Sequence, residues 1–437
     1  MAPSRSAARP EPRPSPRAPR PTASRPREAP RAAGPAVSPE RLLSATVLGL
    51  VCFGLVMVFS TSSATALLND GDPLGLAIRQ AAYAVVGFGA YAVFARMSPE
   101  GMRRLGPPAL VVSGFLLLVV LVPSIGVSVN GSRRWISLGG LGQLQPAELA
   151  KLALALWVAQ AVVRPPAKLT TWKGLTPFLV VTGLLALLIL IEPDMGTAMT
   201  FSAIAFAMLI VAGARLKHMG TIVAIGAGLA TIAMLAEPYR RERFFTFLDP
   251  WSDPGGAGFQ SVQAQIALGS GGLHGVGLGD GVQKAFYLPE AHTDMILATV
   301  GEELGLIGVV AVLVAFGLFA VAGFRIALGA RDLHQQVLAA GLTTLVVMQA
   351  AINIGAVVGV LPVTGVPLPF VSFGGSSLIV LLACTGILVN IGRRSQPRLA
   401  AVRAAARDDR RGRDGRARDA GPGGGRQIGR ASCRERV

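Results

Sequence analysis

The sequence predicts an all-α integral membrane protein of about ten transmembrane helices, with one long extracytoplasmic loop between helices 7 and 8. Three observations carry that prediction. A mean hydropathy of +0.54, with 51% hydrophobic and only 15% charged residues, is too apolar for a water-soluble chain of 437 residues. Apolar runs of near-bilayer length recur along the chain, and a hydrocarbon core about 30 Å thick needs roughly 20 such residues per helix. The excess of Lys and Arg, a formal net charge of +17, lies in the two tails and in short connections. That is a membrane-surface pattern and argues against nucleic acid as the partner.

Residues 1–40 are rich in Pro, Arg, Ala and Ser and read as a disordered basic arm. The first apolar run, from Leu42, is long enough to span and lacks a small-residue cleavage site, so it reads as a retained helix rather than a secretory signal. Spans are expected near 42–60, 77–95, 109–122, 147–163, 174–191, 197–213, 220–236, 303–326, 336–359 and 375–391, within a membrane domain over 41–395. The 237–301 connection, with Trp251, Phe259, Phe286 and Tyr287, is expected to fold over the mouth of the bundle as a lid. Residues 396–437 read as a second disordered basic tail, and 428–437, IGRASCRERV, resemble the translation of a common sequencing adapter. Cys52 and Cys384 fall inside apolar runs and Cys433 lies in that last stretch, so no disulfide framework is expected.

Orientation follows from the basic loops. Arg96, Arg103, Arg104, Arg164, Lys168, Lys173, Arg215, Lys217, Arg325 and Arg331 fall on one side together with both tails, and the positive-inside rule makes that side cytoplasmic. The opposite loops carry Arg133, Arg134, Arg240, Arg241, Arg243 and Lys284, the last four interleaved with acids such as Glu237, Glu242, Asp249 and Asp280, and at Arg133 and Arg134 positive charge calls for something anionic. Arg suits phosphate oxygens.

The candidate polar residues gather at that outer edge. Glu148 and Lys151 follow Pro146 at the start of the fourth helix, three apart and able to pair; a structural ion pair and a substrate contact are equally open readings. Arg133, Arg134 and Trp135 precede that helix as interfacial anchors or as a pyrophosphate site. Asp194 reads first as the cap of the sixth helix. Asp294 lies where the lid returns to the membrane, in the run LPEAHTDM with His292, a partly desolvated position suited to a general base. The His292 and Asp294 pair has no HExxH or cysteine cluster beside it, which disfavours hydrolysis by a metal alone. Pro362, Pro367 and Pro369 break the backbone before Gly374-Gly375-Ser376-Ser377, a helix start whose N–H groups and hydroxyls suit an anion or a simple cap.

From Leu42 to Gly392 the sequence resembles the SEDS family of shape, elongation, division and sporulation proteins. The segments that carry the resemblance are RRWISLG, QPAELAKLAL, EPDMGTA, DPWSDPGGAGFQSVQAQIALGSGG, YLPEAHTDMILATVGEELG and LPVTGVPLPFVSFGGSS. The run VQKAFYLPEAHTD is nearer to the division branch than to the elongation branch. Met295, where the family more often has Phe, is an apolar departure. The resemblance implies a peptidoglycan glycosyltransferase that polymerises lipid II into glycan strands and joins a class B penicillin-binding protein among other division proteins. It implies a bacterial inner-membrane location with membrane lipids as neighbours. Carried over by motif, Asp294 is the catalytic carboxylate, Trp135 the aromatic of the RxW segment, and Glu148 with Lys151 the intramembrane pair.

An α-linked pyrophosphate donor and a β-linked polymer require one inverting displacement, with Asp294 taking the acceptor hydroxyl proton. Arg133, Arg134, Lys151 or Lys284 are expected to offset charge on the pyrophosphate, with or without a divalent cation such as Mg or Mn. Two other classes compete. A lipid II flippase would place polar groups at the midplane with access from both faces, and a non-catalytic division scaffold would leave Asp294 idle.

Overall fold

A computed structural model describes residues 38–395 apart from 69–71, 73, 130–131, 140–141, 165–167, 237–240 and 242–244. The basic arm before residue 38, the tail beyond 395 and the adapter-like 428–437 lie outside the described residues. Among these residues seven helices are long and apolar enough to cross a membrane: α1 (Pro39–Leu68, apolar over Pro39–Ser63), α2 (Gly75–Arg96), α3 (Pro99–Val120), α5 (Trp172–Ile191), α10 (Ile296–Leu328), α11 (Leu333–Val357) and α12 (Gly375–Ser395). A shorter apolar helix, α6 (Met195–Val211), stands with them. Helices also cover the other two expected spans, α4 (Pro146–Val162) and α7 (Leu216–Ala236).

Burial sorts these helices into centre and periphery. The most apolar stretches of α11 and α12 are 72% and 83% buried, against 17% for α2, so α11 and α12 form the core with α4 packed beside α11. A helix apolar on every face belongs at such a centre, and α4 is buried along nearly its whole length.

Three boundaries differ clearly from the sequence expectation, and one is the first helix, which runs on to Leu68 rather than ending near 60. The third helix begins at Pro99 rather than 109, because Ser98 caps it through Gly101 N (3.1 Å) and Pro99 takes the first turn, while Pro107 and Pro108 are carried inside. Arg103 and Arg104 are therefore helical, and they pair with Asp332 (2.9 Å) and with Glu100. The eighth expected span begins at Ile296 rather than 303, so Gly301-Glu302-Glu303 is helix, not loop.

The segment around Arg133 also gains structure. Short strands β1 (Gly126–Val129), β2 (Ser132–Ser137) and β3 (Gln143–Leu144) make an antiparallel sheet in the order β1-β2-β3, with Val127 opposite Trp135 and Ile136 opposite Leu144. The connection expected to be a lid holds a 3-10 turn (Pro250–Ser252) and two helices, α8 (Phe259–Ser270) and α9 (Gln283–Phe286). Helix α8 packs on α10 and α9 on α1.

This connection is joined to α10 through its backbone. Gly305 takes φ 64° and ψ −162° and breaks the helix, which would leave carbonyls and N–H groups unmet in a dry interior. The loop after α8 meets them. Val276 N and Gly277 N donate to the carbonyls of Glu302 (2.9 Å) and Glu303 (3.1 Å), while Leu306 N and Ile307 N donate to Gly272 O (2.9 Å) and Leu273 O (3.3 Å). A Cβ on Gly305 would lie 2.4 Å from Gly275 N, a backbone atom with no room to give. Gly305→Ala should therefore cost about 1–3 kcal/mol or more. A lowered thermal midpoint of the detergent-purified variant checks this, and an unchanged midpoint contradicts it.

Candidate active site

Asp294 closes the turn that leads from α9 into α10, and only 9% of the residue is exposed. Thr293 lies between two acids: its hydroxyl donates to Glu290 Oε2 (2.9 Å) and approaches Asp294 Oδ1 at 3.3 Å. The turn is fixed from below. Asn353 of α11 donates through Nδ2 to both Asp294 O (2.7 Å) and Val366 O (2.8 Å). His292 O accepts from Phe373 N (2.9 Å) and its ring lies 5.8 Å from that of Phe373. Burial holds the His292 imidazole below its ordinary pKa, with Glu290 pulling the other way.

One turn earlier on α11, and so on the same face, Gln349 meets the expected ion pair. Lys151 Nζ donates to Glu148 Oε1 (2.8 Å) and to Gln349 Oε1 (2.8 Å), with Lys151 wholly buried. Gln349 Nε2 in turn donates to Pro367 O (3.2 Å) and lies 3.4 Å from Ser377 Oγ. The neighbouring Ser376 accepts from Gln145 N at 3.3 Å, so the first turn of α12 touches the start of α4.

A slip in the β1–β2 register at Arg134, which pairs with no residue of β1, separates the two cations of β2. Arg133 is exposed, whereas Arg134 turns inward and donates through Nε to Glu192 O (3.0 Å) and through a second nitrogen to Pro193 O. Its guanidinium lies 3.8 Å from Asp194 Oδ2. Asp194 caps α6 through Thr197 N (2.9 Å), as expected, and also accepts from Gln145 Nε2 (3.2 Å). Trp135 is half-buried and pairs across the ladder with Val127, just past the irregularity in register, so it does not share a strand face with Arg133.

Lys284 is placed differently from the sequence expectation of a cation open to pyrophosphate. It is 3% exposed, pairs with Glu303, and donates to Ser60 O (3.1 Å) and Ser60 Oγ (2.9 Å), so it ties α9 to α1 and α10. Glu302 Oε1 accepts from Val282 N (2.8 Å) and Gln283 N (3.0 Å), which holds the start of α9. A lysine buried among Glu303 and Ser60 joins α9 to the bundle rather than standing open to a ligand.

The structure thus brings Glu148, Lys151 and Ser377 together through Gln349, and Arg134 and Ser376 together through Gln145. Asp294 and His292 join them through the 362–374 loop. Arg133 and Lys284 stand apart from these contacts. Sequence reasoning missed Gln80, Gln349, Asn353 and Ser60. Their signal is a neutral polar side chain inside an apolar run, which is less conspicuous there than an ionisable group.

Comparison with known proteins places this geometry. The model of the FtsW/RodA/SpoVE family, described as cell cycle protein, matches residues 40–397. A probable peptidoglycan glycosyltransferase FtsW of Geobacter metallireducens is 42% identical over 346 residues, covering 79% of this chain and 92% of the relative. The stage V sporulation protein E of Bacillus subtilis is 40% identical over 362 residues, covering 82% and 98%. A solved structure titled for the structural coordination of polymerization and crosslinking by a peptidoglycan synthase complex superposes with a TM-score of 0.68 at 31% identity, covering 81% of this chain and 97% of that one. The rod shape determining protein RodA of Thermus thermophilus gives 0.60 at 29% identity, covering 80% and 95%.

Glu192 supplies a test of the site's electrostatics. Its two carboxyl oxygens are buried without a hydrogen-bond partner, and its pKa is pushed up to about 8 by burial and by Asp194, against the opposing pull of Arg134. A raised carboxyl pKa favours the fold in its neutral form, so this contribution is intact below about 4.5 and is lost as pH rises towards about 8. Glu192→Gln should remove the loss. Its melting temperature should gain on the unaltered protein progressively between those two pH values, and parallel curves would contradict the assignment.

Proposed function

Because the chain belongs to the FtsW/RodA/SpoVE family of cell cycle proteins, we propose that it is a peptidoglycan glycosyltransferase that polymerises lipid II outside the cytoplasmic membrane. The observation that carries the reading is the burial of Asp294 at the seam between lid and bundle, with its main chain fixed by Asn353. Holding the main chain at Asp294 fixes where its carboxylate is presented.

The reaction is a single in-line displacement. Asp294 takes the proton from an acceptor sugar hydroxyl as that oxygen attacks the donor anomeric carbon, and the bond to pyrophosphate breaks on the opposite face with inversion. The leaving group carries negative charge into a low-dielectric mouth. Arg133, exposed on β2, and Arg134, held beside Asp194, are the candidate cations for it, with Trp135 on the same strand as an interfacial platform. Lys151 and Glu148 hold the floor of the site in register through Gln349, and Ser376 and Ser377 open α12 above them. His292 orients the loop at Phe373.

Among the described residues no three His, Cys, Asp or Glu side chains come together as a metal cage. A Mg or Mn ion would fit here as a companion of the substrate pyrophosphate, held by one or two carboxylates at most.

Sidedness follows from the two ends of the bundle. Arg41, Arg103, Arg393 and Arg394 mark the end where α1 begins and α12 finishes, whereas Ser60, Lys284 and Asp294 mark the other. The arginine-rich end is cytoplasmic and carries both termini. On the outer side Trp251, Leu278, Phe286 and Tyr287 are each at least half exposed on the lid. That apolar surface suits a class B penicillin-binding protein, whose docking would steady the lid.

Asp294→Asn keeps size and hydrogen-bonding capacity but removes the base, so lipid II polymerisation should fall about 10²- to 10⁴-fold. Gel analysis of glycan made from lipid II by the purified protein with its penicillin-binding partner reads this out. Asp253→Asn and Asp280→Asn, at exposed lid positions, should leave the rate within a factor of about 3. Substantial polymer from well-folded Asp294→Asn protein would overturn the assignment.

A further inference from the structure

The bundle end opposite Asp294 holds a cavity that the proposed reaction does not use. It measures about 480 Å³ and is lined by Glu40, Arg41 and Ser44 of α1, Tyr91 of α2, and Val389 and Arg393 of α12. Glu40 lies 20 residues before Ser60 on α1, roughly 30 Å at the helical rise, or about one hydrocarbon thickness. The cavity therefore sits at the opposite membrane surface from the lid.

Its walls are chemically divided. Ser44 Oγ donates to Glu40 O (2.8 Å) and lies 3.0 Å from Tyr91 Oη, which leaves two hydroxyl groups on one wall. Helix α12 comes close to α1 here, since a Cβ on Gly392 would lie 3.1 Å from Glu40 Cβ, and the next residue, Arg393, is exposed at the rim. Other arginines at this end are spoken for: Arg103 by Asp332, Arg104 by Glu100, and Arg394 by Asn390 Oδ1 and Met97 O. Arg41 and Arg393 differ. Among the described residues neither side chain forms an ion pair or a hydrogen bond.

Two guanidinium groups against the one carboxylate of Glu40 leave the lining with a single positive charge in excess. A phosphodiester carries a single negative charge, and Arg matches its oxygens with paired N–H donors. Basic pockets between membrane helices on the cytoplasmic side are suited to anionic lipid head groups, and the volume lies within the usual range for a small ligand. One turn deeper on the Ser44 face of α1, Leu48 is 52% exposed and offers an apolar path for acyl chains.

We propose that this cavity binds the head group of an anionic glycerophospholipid, with its phosphate between Arg41 and Arg393 and its glycerol hydroxyls against Ser44 and Tyr91. The site anchors the joint of α1, α2 and α12 to the inner leaflet, independently of the transferase reading. A free phosphate shares the chemistry of the head group but not the need for an acyl chain.

The test titrates the purified full chain in detergent with phosphatidylglycerol and counts bound lipid by native mass spectrometry. Inorganic phosphate is added as competitor in a second arm. Saturable binding of one lipid should weaken on the order of tenfold or more in the Arg41→Ala/Arg393→Ala variant, whose arginines are exposed and whose thermal midpoint should hold. Arg96→Ala, at the same end of α2 but outside the cavity, should bind as the unaltered chain does. Equal weakening by Arg96→Ala would reduce the effect to general charge and overturn the site. Displacement by inorganic phosphate alone would assign it to a soluble anion instead of a lipid. Unchanged binding by the double variant would also overturn it.

Discussion

Residues 362–374 are irregular backbone inside the bundle, and the structure around them is arranged to satisfy their polar groups. Phe370 and Val371 pass α1 at Gly54, where a Cβ would lie 2.7 Å from both of their backbones, while the helix itself runs on to Leu68. The loop is thus well below the end of α1. At that depth an unmet carbonyl costs on the order of 1–3 kcal/mol or more, and no water is at hand to meet it. Three side-chain amides do so: Gln80 takes Ser372 O (3.1 Å), Gln349 takes Pro367 O (3.2 Å) and Asn353 takes Val366 O (2.8 Å). Pro367 and Pro369 remove two donors from the same account. Gln80 also accepts from Gly374 N (3.3 Å), which fixes the start of α12.

Those amides are what connect otherwise separate parts of the site. Asn353 divides its two donor hydrogens between the loop and Asp294, and Gln349 divides its contacts between the loop and Lys151. A displacement of 362–374 therefore reaches the proposed base and the buried ion pair together. The two buried pairs, Lys151 with Glu148 and Lys284 with Glu303, fit this role better than that of simple stabilisers. Desolvation offsets most of what such pairs gain, whereas breaking one leaves an uncompensated charge, so their effect is to forbid other registers. Lys151 sets α4 against α11; Lys284 sets the lid against α1 and α10.

Much of this was legible in the sequence because charge inside an apolar run is conspicuous. Glu148 and Lys151 could be paired on sight, being three residues apart on one helix, and Asp194 could be read as a cap. Asp294 stood out as a carboxylate where a long loop re-enters the membrane. The membrane class followed from composition. Other features depended on partners far away in the chain. Lys284 looked free because its partner lies 19 residues on and its second contact, Ser60, 224 residues back. The opposite roles of Arg133 and Arg134 needed the strand register, and the strands are too short to announce themselves. The break at Gly305 was invisible, since Gly305 falls inside the span expected over 303–326 and only the exchange with 272–277 makes the break tolerable. Gln349 and Asn353 carry no charge, and a lone amide in a long apolar run is easily passed over.

Asn353 acts on the proposed catalysis through Asp294, and a double-mutant cycle measures that coupling. Asn353→Leu should lower kcat for lipid II polymerisation with little change in KM, because the base loses its aim while substrate contacts remain. In protein already carrying Asp294→Asn, the same change should cost almost nothing further in kcat, since there is no base left to misplace. Full additivity of the two losses would contradict the account and make Asn353 a support of the fold alone.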